Sequence, residues 1–193
     1  MGSNLLLNLL YMCDIMIYSA KKIFVCGIHG VGKTSFIKNS DSLQAYTKYT
    51  CSELIKNYSG QEFKFKKIDN LSNNQDILLD AVNYYVNEEM VLLDGHVVLF
   101  NKEKKIEIID ISIFKCLSIE YIIFLQADPK IIFERLVKRD GGTWLTLDLI
   151  EEAQNIEREK VIEYSKSLKI NCDIYTWDQL ESVFNRKVFS FNL

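Results

Sequence analysis

The sequence is poor in the residues that mark several common classes of protein. It contains one proline and 8 glycines in 193 residues, which excludes a collagen-like, low-complexity or disordered chain. It has two histidines, and its five cysteines include no closely spaced pair, so we expect no zinc site. We interpret the cysteines as reduced thiols of a cytoplasmic protein.

Neither sign of charge is in large excess. The chain has 23 basic and 26 acidic residues and a net charge of −3, so nothing indicates a nucleic-acid partner. The apolar run at residues 5–18 follows no basic residue and is too short to span a bilayer, so we expect no membrane partner. We interpret residues 1–15 as an N-terminal extension and residues 16–193 as a single domain.

Short β-rich runs alternate with helical patterns along the chain. Buried strands are predicted at 22–26, 90–94, 121–125 and 172–176. A polar turn between two β-rich runs predicts a hairpin at 96–109. Helices are predicted at 33–40, 52–58, 74–89, 110–117, 129–139, 146–168 and 177–184. This order predicts an α/β fold with a parallel sheet, helices on both faces and a small β-hairpin insertion.

A glycine-rich loop follows the first predicted strand. The segment Gly27 to Thr34 reads GIHGVGKT and fits the pattern G-x-x-x-x-G-K-S/T, which is typical of P-loop NTPases. Glycines let the backbone turn its N–H groups toward an anion, and the next helix adds its positive end. We expect Lys33 to reach the β- and γ-phosphates of ATP and the Thr34 hydroxyl to bind Mg²⁺. The predicted nucleotide-binding residues are Gly27, His29, Gly30, Val31, Gly32, Lys33, Thr34 and Ser35.

Arginine is scarce and unevenly placed. Of four arginines, against 19 lysines, three lie within one 24-residue stretch. Arg135 and Arg139 are one helical turn apart, and a guanidinium can bind two phosphate oxygens at once. Gly141 and Gly142 supply a hinge for a lid at 139–146. We predict catalytic roles for both arginines and for Arg158 on the next helix; the alternative for each is a solvated helix face.

Two polar residues follow the predicted strand at 90–94. Asp94 ends that strand, and such a carboxylate can hold Mg²⁺ directly or through water, so we predict it as a catalytic and metal-binding residue. His96 is a predicted substrate contact. The alternatives are an aspartate of a strand-end turn and a histidine with a structural role.

Four segments together resemble the P-loop nucleoside monophosphate kinases, and most of all the archaeal-type adenylate kinases. These segments are GIHGVGKT, VLLDGH, LQADPKIIFERLVKRD and EAQNIEREK. The resemblance implies a nucleotide kinase-like fold and ATP- and Mg²⁺-dependent phosphoryl transfer to a nucleoside or deoxynucleoside monophosphate. It also implies that residues 41–89 build the acceptor site.

The acceptor region departs from that family. It contains no arginine, although monophosphate kinases usually place one on the acceptor phosphate. Candidate contacts are Ser52, Glu53, Lys66, Lys67, Asn73, Asn74 and Gln75. Two alternatives therefore stay open: a P-loop kinase with a non-nucleotide small-molecule acceptor, and a nucleotide-binding ATPase or regulatory module. The sequence is also compatible with a homo-oligomer.

Overall fold

The fold is built on a five-stranded parallel sheet. The computed structural model describes residues 21–62 and 71–176, so the predicted extension 1–15 and the predicted helix 177–184 lie outside the described residues. In spatial order the strands are β2-β3-β1-β6-β7. Their bounds are β1 Lys22–Cys26, β2 Thr47–Thr50, β3 Val91–Asp94, β6 Tyr121–Gln126 and β7 Asn171–Thr176.

The three central strands are buried on both faces. Along β1, Ile23 and Val25 pack into one apolar cluster, whereas Phe24 and Cys26 pack into another on the opposite face. Strands with two buried faces need near-continuous apolar sequence, which explains why runs such as KIFVC and YIIFL predicted them.

Six α-helices in the described residues cover the sheet. Their bounds are α1 Lys33–Asn39, α2 Cys51–Glu62, α3 Leu71–Tyr85, α4 Ile111–Cys116, α5 Pro129–Asp140 and α6 Leu147–Leu168. Side chains from α1 and α5 pack on one face of the sheet, those from α2, α3 and α4 on the other, and α6 contributes to both clusters. The predicted α/β class with helices on both faces is confirmed.

The predicted hairpin is also present. Strands β4, Val98–Phe100, and β5, Ile106–Ile108, pair in antiparallel register with Leu99 opposite Glu107. The Phe100 ring packs edge-to-face on Trp144, with ring centroids 5.2 Å apart. The hairpin thus contacts the segment that follows α5.

Helices α4, α5 and α6 each begin after a polar residue whose side chain caps the first turn, namely Asp110, Asp128 and Thr146. The Asp128 side chain accepts a hydrogen bond from the Lys130 N–H and precedes Pro129, which suits the first turn of α5. Helix α2 begins at Cys51, one residue before the predicted start, and Ser52 lies within the helix. Helix α3 begins and ends earlier than predicted, at Leu71 and Tyr85.

Two short elements were not predicted. Strand β2 has the polar sequence TKYT and an exposed or half-buried surface, because it lies at the edge of the sheet. A single turn of 3-10 helix spans Asp41–Leu43. None of the helices in residues 21–62 and 71–176 combines the length and apolar character needed to cross a membrane.

We predict that Gln154 is an important tie between α6 and the central sheet. Its side-chain oxygen accepts from the Ala127 N–H, and its amide donates to the Ala127 carbonyl, each at 3.0 Å. Gln154→Leu leaves both buried backbone groups unpaired and should lower the free energy of unfolding by about 1–3 kcal/mol. Urea unfolding measures this. The neighbouring exposed variant Asn155→Leu should change it by about 0.5 kcal/mol or less, and equal losses would contradict the role of Gln154.

Candidate active site

The carboxyl ends of β1 and β3 meet at one edge of the sheet. Val25 and Asp94 are register partners there, and the Gly95 N–H donates to the Val25 carbonyl at 3.0 Å. The loop from Gly27 to Gly32 continues from β1. A cavity of about 530 Å³ opens over these strand ends, which is the usual position of a ligand site in a parallel α/β sheet.

The loop takes a shape that requires glycine. Gly27, Gly30 and Gly32 have φ angles of 139°, 84° and 110°, which side chains rarely adopt. A Cβ on Gly27 would lie 2.5 Å from the Leu125 carbonyl oxygen, so this position has no space for one. The observed loop conformation accounts for each glycine of the motif.

Lys33 lies under this loop and is buried. Its Nζ donates to the Gly27 carbonyl at 2.8 Å and lies 3.8 Å from Asp94 Oδ1. Burial lowers the pKa of Lys33, while the charge of Asp94 opposes that shift. Burial also raises the pKa of Asp94, again against the effect of its partner. The two groups therefore form a partly desolvated pair at the cavity floor.

The two histidines contact each other beside Lys33. The rings of His29 and His96 have centroids 4.1 Å apart, and Lys33 Nζ lies 3.4 Å from His96 Nε2. Burial, followed by the charge of Lys33, lowers the pKa of His29 to about 4 and lowers that of His96 well below its ordinary value. Both rings are therefore neutral near pH 7.

The predicted arginines occupy three different environments. Arg135 extends from α5 to the loop, where its guanidinium donates to the Val31 carbonyl at 2.8 Å. Arg139 also lines the cavity, but its guanidinium bonds the exposed Asp140 at 2.7 Å. Arg158 is exposed on α6 and is not among the residues lining the cavity.

The other predicted site residues also differ in whether they line the cavity. Ser52, Asn74, Gln75 and His96 line the cavity, as do Thr34, Ser35 and Asp94, whereas Glu53 is exposed and does not. Val31, within the loop, is buried and is not among the residues lining the cavity. Lys66, Lys67 and the side chain of Asn73 lie outside the described residues. The proposed roles of these residues remain predictions.

The sequence did not indicate an apolar wall opposite the loop. Phe24, Leu78, Ile113, Phe114 and Leu117 line the cavity and belong to one apolar cluster. We call these residues, with Thr50, Cys51, Ser52, Ile55, Asn74, Gln75, Leu99 and Ile109, the acceptor half of the cavity. The phosphate half comprises His29, Gly30, Gly32, Lys33, Thr34, Ser35, Asp94, His96, Arg135 and Arg139.

Glu157 is a buried carboxylate that the sequence did not indicate. It is fully buried on α6, and its Oε1 accepts from the Val97 N–H at 2.7 Å, while Oε2 has no hydrogen-bond partner in the described structure. Burial raises its pKa to about 7, against the opposing effects of the Val97 N–H and of Lys33. Glu157 lies at helical spacing from the buried residues Ile150, Ala153 and Val161, and this spacing is the sequence pattern that could have indicated its burial.

The donor groups at this site fit a nucleotide and Mg²⁺. The Thr34 hydroxyl and the Asp94 carboxylate are oxygen ligands of the kind that Mg²⁺ prefers, and both line the cavity. Within the described residues, no group of three histidine, cysteine or acidic side chains forms a metal site. Mg²⁺ commonly takes only one or two protein ligands and completes its shell with phosphate oxygens and water.

The fold and the loop define a P-loop protein of the kinase-like type. A family model described as an AAA domain matches residues 26–154, and the chain therefore belongs to that family. The finer resemblance to archaeal-type adenylate kinases remains a prediction. No curated protein matches the chain.

One solved structure with a TM-score above 0.5 shows the same fold at low sequence identity. A shikimate kinase from Bacteroides thetaiotaomicron is 15% identical with a TM-score of 0.51, over 90% of this chain and 99% of that one. A sugar kinase from Janibacter sp. HTCC2649 is 13% identical with a TM-score of 0.49, over 88% and 92%. A tunicamycin resistance protein from Deinococcus radiodurans is 17% identical with a TM-score of 0.48, over 78% and 96%.

We predict a pH-dependent stability contribution from Glu157. Because folding raises its pKa from 4.5 to about 7, the contribution is complete below about pH 4.5 and is lost as the pH rises to about 7. Relative to Glu157→Gln, the wild type should lose on the order of 3 kcal/mol of unfolding free energy across that range. Urea unfolding at several pH values measures this difference. Exposed Glu159→Gln should show no such trend, and parallel profiles for Glu157→Gln and wild type would contradict the prediction.

Proposed function

We propose that this protein transfers a phosphoryl group from ATP to a small molecule in a Mg²⁺-dependent reaction. The observation that carries the proposal is one cavity with two chemically different halves. The phosphate half holds Lys33, Arg135 and Arg139 around a glycine loop, and the acceptor half is mainly apolar. A nucleotide and a second compound could therefore lie against each other there.

The phosphate half has the groups that phosphoryl transfer requires. The reaction depends mainly on positioning and on positive charge around the transferred group. Lys33 can exchange its bond to the Gly27 carbonyl for one to a phosphate oxygen. Arg135 braces the loop from α5, and Arg139 is placed at the cavity rim, where it can exchange Asp140 for phosphate. Mg²⁺, held by Thr34 and Asp94, would neutralise charge on the nucleotide phosphates.

The identity of the acceptor is the finer part of the proposal. For a nucleoside monophosphate, the amides of Asn74 and Gln75 offer contacts to a base edge. For a non-nucleotide hydroxyl compound, the support is that the described residues of α2, α3 and α4 that line the cavity carry no charge. The basic residues of the described lining lie at the loop and on α5, so the second class is favoured.

An ADP-release assay tests the proposal directly. Nucleoside monophosphates, deoxynucleoside monophosphates, nucleosides and simple alcohols are supplied separately with ATP and Mg²⁺. Stimulation by at least one class above the rate without acceptor is expected. Slow hydrolysis that no compound stimulates would support an ATPase or regulatory module in its place.

We predict that Lys33→Ala weakens ATP binding about tenfold or more. The variant removes the ammonium that is buried at the floor of the phosphate half and should cost at least one charged hydrogen bond to the phosphates. Isothermal titration calorimetry with ATP and Mg²⁺ measures the affinity. Lys38→Ala, on the exposed end of the same helix, is the matched control and should bind like the wild type. Unchanged affinity in Lys33→Ala would refute the assignment.

Arg139 should act on the rate of transfer more than on nucleotide affinity. We expect Arg139→Ala to lower kcat on the order of a hundredfold, since a guanidinium stabilises charge that develops in the transition state. Arg139→Lys should recover part of this loss, because lysine restores the positive charge but cannot bind two phosphate oxygens at once as a guanidinium does. The stimulated ADP-release rate and the ATP affinity are measured together. Exposed Lys138→Ala is the control, and a loss confined to ATP affinity would contradict the expectation.

A further inference from the structure

The acceptor half has an apolar wall. Phe24 and Phe114 pack edge-to-face with centroids 4.8 Å apart, and Leu78 and Ile113 belong to the same cluster. Gly95 makes this wall possible, because a Cβ there would lie 2.6 Å from Phe24 Cζ. Leu99 from the hairpin lines the same cavity. Such surfaces gain free energy from covering an apolar ligand and lose it when they face an ion.

The charged side chains of the described lining lie beside the glycine loop or on α5. The charged side chains are Lys33, Asp94, Arg135 and Arg139, and the Lys33 ammonium already has the Gly27 carbonyl and Asp94 beside it. The described residues of the acceptor half offer no cation to a second anionic ligand, and an unpaired ion in an apolar site costs several kcal/mol.

The polar groups of the acceptor half are uncharged. Thr50, Ser52, Asn74 and Gln75 offer hydroxyl and amide groups. Cys51 is buried, and burial raises the pKa of its thiol to about 12, so it remains neutral. Asn74 and Gln75 line the cavity, and a side-chain amide can both donate to and accept from a hydroxyl-bearing ligand.

We propose that the acceptor is an uncharged hydroxyl compound with a mainly apolar body, which packs on Phe24, Leu99 and Phe114 and directs its hydroxyl toward Lys33. This inference rests on the proposed kinase function and specifies the substrate class of the same cavity. The hydroxyl oxygen forms a bond to the γ-phosphorus of ATP, and the bond from that phosphorus to the β,γ-bridging oxygen breaks. Its electron pair leaves with ADP, and the hydroxyl proton is released to solvent.

Matched ligand pairs test the substrate class by binding alone. The pairs are benzyl alcohol with benzoate, cyclohexylmethanol with cyclohexanecarboxylate, and adenosine with adenosine monophosphate. Each is titrated in ligand-observed NMR with the full chain, Mg²⁺ and a non-hydrolysable ATP analogue. The uncharged member of each pair should bind about tenfold tighter or more. Tighter binding of the anionic members, or no binding by any compound, overturns the inference.

Variants of the hairpin locate the binding site. Leu99→Glu places a charge in the acceptor half and should weaken alcohol binding about tenfold, whereas Leu99→Gln, of the same shape, should weaken it less. Ile108→Glu lies on the same hairpin but does not line the cavity, and should have no effect. Unchanged affinity for the ATP analogue shows that each variant is folded. Equal weakening by Glu at positions 99 and 108 overturns the placement of the acceptor.

The ADP-release assay separates this inference from the kinase proposal. Uncharged compounds that bind and stimulate ADP release support both. Binding without any stimulation supports the ligand class and defeats the kinase. Stimulation by monophosphates in preference to alcohols supports the kinase and defeats the ligand class.

Discussion

A buried positive charge is the constraint around which this site is arranged. Lys33 follows the glycine loop directly, so the loop, the ammonium and the end of β1 cannot be placed independently. A buried ammonium requires acceptors, and the Gly27 carbonyl and Asp94 supply them from two neighbouring parallel strands. The order β3-β1-β6 brings these groups together and also places Leu125 against the loop at Gly27. The glycine pattern and the sheet order thus satisfy a single electrostatic requirement.

The same requirement separates the two halves of the cavity. The basic side chains lie at the loop and on α5, where each of them has an acceptor group. The wall formed by Phe24, Phe114 and Leu78 has no charge in the described structure. Glu157 is consistent with this division, since it is buried behind the loop and bonds the Val97 N–H rather than entering the cavity. Its high pKa keeps part of its population protonated near neutral pH, which limits the cost of burying it.

Local sequence patterns were sufficient for most of the fold but only for part of the site. The loop, β1 and β6 could be predicted because a motif or an apolar run of consecutive residues encodes each of them. Strand β2 could not, since its polar edge sequence TKYT has no buried face to leave a pattern. The apolar wall was missed for a different reason. Phe24, Leu99 and Phe114 are far apart in the chain, and only the strand order and the hairpin bring them to one cavity.

The hairpin connects the acceptor half to the segment after α5. Leu99 lines the cavity while its neighbour Phe100 packs on Trp144, and the Lys104 ammonium lies 5.2 Å from the centre of the Trp144 ring. Arg139 ends α5 just before Gly141, whose φ of 73° turns the chain toward Trp144. The insertion therefore does more than enlarge the wall. Its Phe100–Trp144 contact joins the strand that carries Leu99 to the segment that follows Arg139, and both of these residues line the cavity.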